Sequence, residues 1–206
     1  MKNPLHYQLS EYDCGPTAML NAVSFLFERD EIPPEVIRNI MLYCLDCYGT
    51  DGVSGKKGTS AVAMMFLSNW LDGFGKVGRL SVSSQYISGR NVYLGEDSLL
   101  NDALRRKGVA VVRLFLDEWH YVLLTGFKDD KILMFDPYYM DEPFEQKDIQ
   151  MVTDHPSEYN RIMPQRYLNC EEEALYAMGP VEGREAVLLF NEDIKLTPEK
   201  TIEYFI

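Results

Sequence analysis

Cys14 is the side chain whose placement most invites chemistry. In QLSEYDCGPTAMLNAV it stands between Asp13 and a Gly-Pro pair, where a helix is due to begin. Asp13 suits a helix cap, and Pro16 is tolerated in a first turn, where its missing N–H is not needed. Apolar residues then recur at Met19, Ala22, Val23, Leu26 and Phe27, a helical spacing with one face buried. The predicted helix runs for about four turns. At its positive end the free N–H groups and the macrodipole stabilise a thiolate, lowering a cysteine from about 8.5. Two roles fit the position: a small apolar filler, as most free cysteines are, or a nucleophile.

A thiolate nucleophile needs a base, a group that orients the base, and donors for the oxyanion. The chain has 3 histidines. His6 lies in the N-terminal segment, expected to be mobile, and His155 precedes a proline in a polar loop, which suits a surface role. His120 opens the apolar run HYVLLTGF, so a strand holds its backbone. Asp136 ends the next run, KILMFDP. If the intervening turn is the three residues Lys128 to Asp130, His120 faces Tyr138 and Asp136 is its diagonal neighbour on the same face. Diagonal pairs lie about 7–8 Å apart at the backbone, within reach of an imidazole and a carboxylate. An acid placed so fixes a histidine tautomer. A turn one residue shorter or longer puts the two on opposite faces.

These residues resemble a known family. Gln8, Asp13, Cys14, Gly15, Pro16 and Ala18 are similar to the nucleophile motif of the double-glycine leader peptidases, cysteine peptidase family thirty-nine. HYVLLTGF and the later Phe-Asp-Pro are similar to its histidine and aspartate motifs, in the same order along the chain. Three motifs in order, over roughly residues 5 to 140, make a specific match. The resemblance implies a papain-like fold, with a helix bearing the cysteine packed on an antiparallel sheet that bears the histidine and aspartate. It further implies Cys14 as nucleophile, His120 as general base and acid, and Asp136 as the orienting group. Gln8, six residues upstream of Cys14, would offer its side-chain amide to the oxyanion beside the Cys14 backbone N–H; Tyr12 and Leu9 are expected to anchor the turn between them by burial. The best-known leader peptidases are fused to membrane-spanning exporters. Neither spans nor an ATP-binding segment is visible in this sequence, so a stand-alone relative is expected.

The elements that must position these groups follow from periodicity and turn residues. Pro33 and Pro34 open a second helix through VIRNIMLYCL, GTDGVSGKKGTS is a loop expected to border the site, and Ala61 to Leu71 form a third helix with Met64 and Met65 in the core. Strand character begins near Leu80, and Ser98 to Lys107 is a short helix ended by Gly108. VAVVRLFL, HYVLLTGF and KILMFDP are expected to be consecutive antiparallel strands. A polar loop through Asn160, a short helix near EEEALYAM with Glu171 to Glu173 as its acidic first turn, and a strand at EAVLLF complete the chain. Helices first and strands later is an α+β order. Residues 1–145 are read as a papain-like catalytic core and 146–206 as a C-terminal extension packed on the same domain.

Composition narrows the function classes. The chain has 206 residues, enough for one domain with a substantial core, and 46% hydrophobic content excludes a disordered chain. With 32 acidic against 20 basic residues the net charge is −12, which disfavours nucleic acid and anionic membrane surfaces as partners. MKNPLHYQLSEYD lacks the apolar stretch of a secretory signal, and AVAMMFLSNWL falls short of the roughly 20 residues of a membrane span. Cys14, Cys44, Cys47 and Cys170 are therefore expected to be reduced thiols in a cytoplasmic protein. Cys44-Leu-Asp-Cys47 has the spacing of half a zinc site, but no second pair completes it, and core thiols on a helix are expected. No cofactor or metal is predicted. The expected function is a cysteine hydrolase that cleaves a peptide or other amide bond through a Cys14 thioester. An acyltransferase using the same thioester, and a catalytically inactive papain-like module that binds a peptide, are the alternatives.

Overall fold

The computed structural model describes residues 3–193. Three N-terminal helices come first: α1 (Cys14–Leu26), α2 (Pro34–Tyr43) and α3 (Ala61–Lys76). Pro33 is extended before Pro34 begins α2, and the Ser60 side chain caps α3 by accepting from the Ala63 N–H. Then follow strand β1 (Val82–Ser88), helix α4 (Leu99–Arg105), capped by Ser98, and strands β2 (Val109–Leu116), β3 (Glu118–Lys128) and β4 (Lys131–Phe135). The described residues finish with β5 (Gln150–Met151), β6 (Arg161–Pro164), the one-turn helix α5 (Gln165–Leu168) and β7 (Glu185–Asn191).

All seven strands join one antiparallel sheet in the order β1-β7-β2-β3-β4-β6-β5. The expected α+β architecture, N-terminal helices on an antiparallel sheet, is the one observed. Residues beyond 145 supply three of the strands, and β7 lies between β1 and β2. Strand alternation sorts the sheet's side chains into two apolar layers. One layer combines Met19, Ala22, Val23, Leu67 and Leu71 of the helices with Val111, Tyr121, Leu123 and Val187. The other packs Leu100, Leu104, Met163, Leu168, Tyr176 and Met178 against Val112, Val122, Leu124 and Leu188. No helix among the described residues is long and apolar enough to cross a membrane.

Four local expectations are corrected. EEEALYAM is not helical: Tyr176 adopts φ 57° and exchanges with the end of β2, its N–H donating to the Phe115 carbonyl at 2.7 Å while the Phe115 N–H donates to Ala177 at 2.9 Å. That tertiary pairing overrides the helix propensity of Glu, Ala and Leu, so Glu171 to Glu173 form no helical first turn. The helix of this region is α5, a few residues earlier. Met65 is 42% exposed while Met64 is buried, since adjacent helical residues point about 100° apart. Only Cys44 of the thiol pair is a core residue; it ends α2, and Cys47 lies beyond it, partly exposed.

The β3–β4 hairpin reaches the expected register by another route. Its turn is two residues, Asp129 and Asp130, because Lys128 pairs with Lys131. Asp129 takes the left-handed backbone such a turn needs, at φ 56°. A bulge between Leu124 and Gly126 then adds one unpaired residue, Thr125, so that Leu124 pairs with Met134 and Leu123 with Phe135. The short turn and the extra residue cancel. Continued past Phe135, the register sets His120 opposite Tyr138 and diagonal to Asp136.

Candidate active site

The start of α1 carries Cys14. Asp13 precedes the helix, but its side chain caps no backbone N–H of α1 and meets the first turn through the Thr17 hydroxyl, at 3.4 Å. Its carboxylate instead accepts from the Leu9 N–H at 2.9 Å and from the Ser10 N–H and hydroxyl, each at 2.7 Å. Although burial opposes its charge, these donors hold Asp13 below the usual carboxylate range. The turn between Gln8 and Cys14 is therefore tied by a carboxylate. Burial of Leu9 and Tyr12 is not what anchors it, since Leu9 is 96% exposed and Tyr12 36%. The N-terminal segment is pinned too: the His6 N–H donates to Asn21 Oδ1 and Asn21 Nδ2 donates to the His6 carbonyl, both within α1's reach at 2.8 and 2.9 Å. The loop before α3 does border the site. Thr59 packs on Gly15, where an added Cβ would lie 2.1 Å from the threonine hydroxyl, so only glycine fits beside Cys14.

Opposite Cys14 stand His120 of β3 and Asp136, the residue after β4. His120 Nε2 lies 2.7 Å from Asp136 Oδ1, with the imidazole 8% exposed and the carboxylate fully buried. Asp136 Oδ1 also accepts from the Tyr138 N–H at 2.8 Å, and Oδ2 accepts from the Tyr176 hydroxyl at 2.6 Å. Asn160 fixes the backbone there by a reciprocal pair, accepting from the Asp136 N–H and donating to its carbonyl, each at 2.8 Å. Burial works against the charged imidazole, yet the bonds and charges of Asp136 and Cys14 outweigh it and push His120 up to about 10. Burial likewise works against the Asp136 charge, but His120, Tyr176 and the Tyr138 N–H together hold its carboxyl below the usual range. With Nε2 taken by Asp136, Nδ1 is the ring nitrogen left to meet Cys14.

Gln8 enters the same place through its backbone, its N–H donating to the Pro137 carbonyl at 2.8 Å. Its side-chain Nε2 donates to the Ser10 carbonyl at 2.7 Å, and Oε1 is buried without a partner among the described residues. One of the two Nε2 hydrogens remains uncommitted by that bond. Gln8, Cys14, Trp119, His120 and Tyr138 line a single cleft of about 530 Å³, rimmed by Glu11, Asp117 and Glu118. The structure thus brings together all four residues singled out from the sequence. His155 stays outside, paired with Asp154 at 2.9 Å on the surface.

Three contributors lie where the sequence offers little signal. Asn160 and Tyr176 hold Asp136, and Trp119 forms a wall of the cleft against Gly179, where an added Cβ would lie 2.4 Å from the indole. Gly179 has φ 69°, so both the backbone and the space demand glycine there. The other thiols differ from Cys14 in setting: burial and the nearby Asp46 push both Cys44 and Cys47 up. Among the described residues there is no group of three or more His, Cys, Asp or Glu able to hold a metal ion.

No protein-family model and no curated protein matches the sequence. Among solved structures, the chain is similar to the peptidase domain of Streptococcus mutans ComA, at 13% identity and a TM-score of 0.40 over 91% of this chain and 98% of that one. It is similar to the peptidase domain of a Streptococcus ComA described as a bi-functional ABC transporter of a quorum-sensing pathway, at 12% identity and a TM-score of 0.41 over 91% and 96%. The third, at 13% identity and a TM-score of 0.38 over 78% and 89%, is a double glycine motif protease from an AMS/PCAT transporter in complex with a leader peptide.

Proposed function

We propose that this chain is a papain-like cysteine hydrolase that cleaves an amide bond in a peptide. The observation that carries the reading is the buried His120–Asp136 pair, at 2.7 Å, facing Cys14 at the start of α1 in one cleft. Buried opposite charges held in contact and opening on a thiol form the arrangement nucleophilic catalysis uses. An imidazolium at His120 supplies the cation a thiolate nucleophile pairs with.

In the first half of the reaction Cys14 Sγ attacks the scissile carbonyl carbon, and the carbonyl oxygen takes the negative charge. The Cys14 backbone N–H, which has no acceptor inside the helix, and the second Nε2 hydrogen of Gln8 are the donors for that oxyanion. Collapse breaks the C–N bond, and the proton on His120 Nδ1 leaves with the amine. In the second half neutral His120 takes a proton from water, the hydroxide attacks the thioester, and Cys14 departs as thiolate beside the re-formed imidazolium. Asp136 keeps its charge throughout and fixes the ring orientation. A leader-type peptide ending in a double glycine is the substrate class that the family resemblance implies, and the first to present.

The test is a library of such peptides presented to the wild-type protein and to Cys14→Ala, with mass detection of cleavage and of an acyl adduct on Cys14. Cleavage by the wild type alone is expected. An absence of any adduct or cleavage across the library rejects the reading.

A further inference from the structure

Asp136 is a fully buried carboxylate whose two oxygens are treated differently. Oδ1 receives His120 Nε2 and the Tyr138 N–H; Oδ2 receives the Tyr176 hydroxyl, at 2.6 Å. A carboxylate can swing about its Cβ–Cγ bond unless both oxygens are held, and away from water an oxygen without a donor disfavours the charge. Tyr176 supplies the donor on the far side. Its ring has no solvent exposure, lies edge-on to Phe144 at 5.6 Å between centroids, and is directed by a backbone of φ 57° that a bulky residue seldom adopts. Burial and the Asp136 charge hold its phenol far above the usual tyrosine value, against the opposing charge and hydrogen bond of Arg161, so the hydroxyl stays protonated and donates to Asp136. Arg161, itself buried, donates to the Asn160 carbonyl at 2.9 Å, which places a cation behind the same group.

We propose that Tyr176 is a positioning residue of the active site: by donating its hydroxyl to Asp136 Oδ2 it keeps the carboxylate aimed at His120 Nε2. This rests on the hydrolase reading for its consequence in catalysis, but the hydrogen bond itself is testable without turnover. The segment beyond residue 145, which lies outside the motifs, then completes the site from behind through Asn160, Arg161 and Tyr176.

Two replacements test it. Tyr176→Phe keeps the buried ring and deletes only the hydroxyl; site-specific 3-fluorotyrosine at 176 keeps the shape and makes the phenol a stronger donor. The readout is the proton NMR resonance of the His120 Nε2–H bonded to Asp136, with the ring protons of His155 as an internal control in each sample. The Phe variant is expected to displace or lose the His120 resonance through exchange with water, and the fluorotyrosine to displace it, while His155 stays in place. A purely structural tyrosine leaves the fluorotyrosine sample unchanged, and that result overturns the proposal. Should the Phe variant fail to fold, the isosteric fluorotyrosine decides alone. With a cleaved peptide in hand, Tyr176→Phe should lower kcat about tenfold, the loss of one hydrogen bond to a charged group, with KM unchanged. A wild-type kcat overturns the role in catalysis. A wild-type protein that cleaves nothing instead rejects the hydrolase reading and leaves the resonance test standing.

Discussion

His120 and Asp136 titrate in opposite directions, which makes the pair a pH-dependent element of stability. His120 is raised from 6.5 to about 10, so its share is full below 6.5 and is lost as pH climbs through about 10. Asp136 is lowered, so its share is present above the unfolded value of about 3.9 and is lost only as pH falls through the depressed value. Thermal melts should therefore lose Tm between neutral pH and pH 10 more steeply in the wild type than in His120→Gln; parallel slopes would contradict the assignment. Activity should decline over the same alkaline range, since the leaving amine needs the His120 proton. Asp136→Asn should remain folded yet lose about 10²–10⁴ in kcat, because the amide no longer fixes the imidazole as a carboxylate does. Cys14 should also react with iodoacetamide faster than Cys44 and Cys47, both pushed up by burial; mass mapping at mildly acidic pH checks it. At this scale the four residues that the structure brings together were legible in the sequence, because they stand beside strong patterns. Asn160 and Tyr176 were hidden, as a polar residue in a weakly patterned segment gives no sign of which buried carboxylate it serves.

Among the elements, the β3–β4 hairpin shows why a correct placement can rest on an incorrect turn. A three-residue loop predicts the right neighbours for His120, and the chain reaches them with a two-residue loop and a bulge at Thr125. Period-two alternation fixes the face of each residue but not where an extra one is stored. Deleting Thr125 should straighten β3 and leave His120 opposite Tyr138, since Gly126↔Leu133 and Leu124↔Met134 then become consecutive pairs, and the alkylation selectivity at Cys14 should persist. Circular dichroism melts and the alkylation rate at Cys14 read the variant, and a loss of that selectivity would contradict the pairing. The helices show the complementary pattern. The α1 periodicity was legible because its apolar face is local, whereas EEEALYAM was misread because its partner, Phe115, lies far away in sequence.

For the molecule as a whole, the sheet order decides what can be removed. β7, the last strand described, pairs with β1 and with β2 and contributes Val187 to one apolar layer and Leu188 to the other. A chain cut after Glu145 should not fold, reading as an unfolded spectrum without a cooperative melt; a cooperative transition would show that residues 1–145 are self-sufficient. The same order has a consequence for how the protein comes into being. Along the chain the thiol of Cys14 precedes the imidazole of His120 by 120 − 14 = 106 residues, Asp136 follows, and Tyr176 and β7 come later still. Over that stretch of synthesis the nascent chain carries the Cys14 thiol with no imidazolium beside it, and the centre is assembled only when the strand between β1 and β2 is delivered.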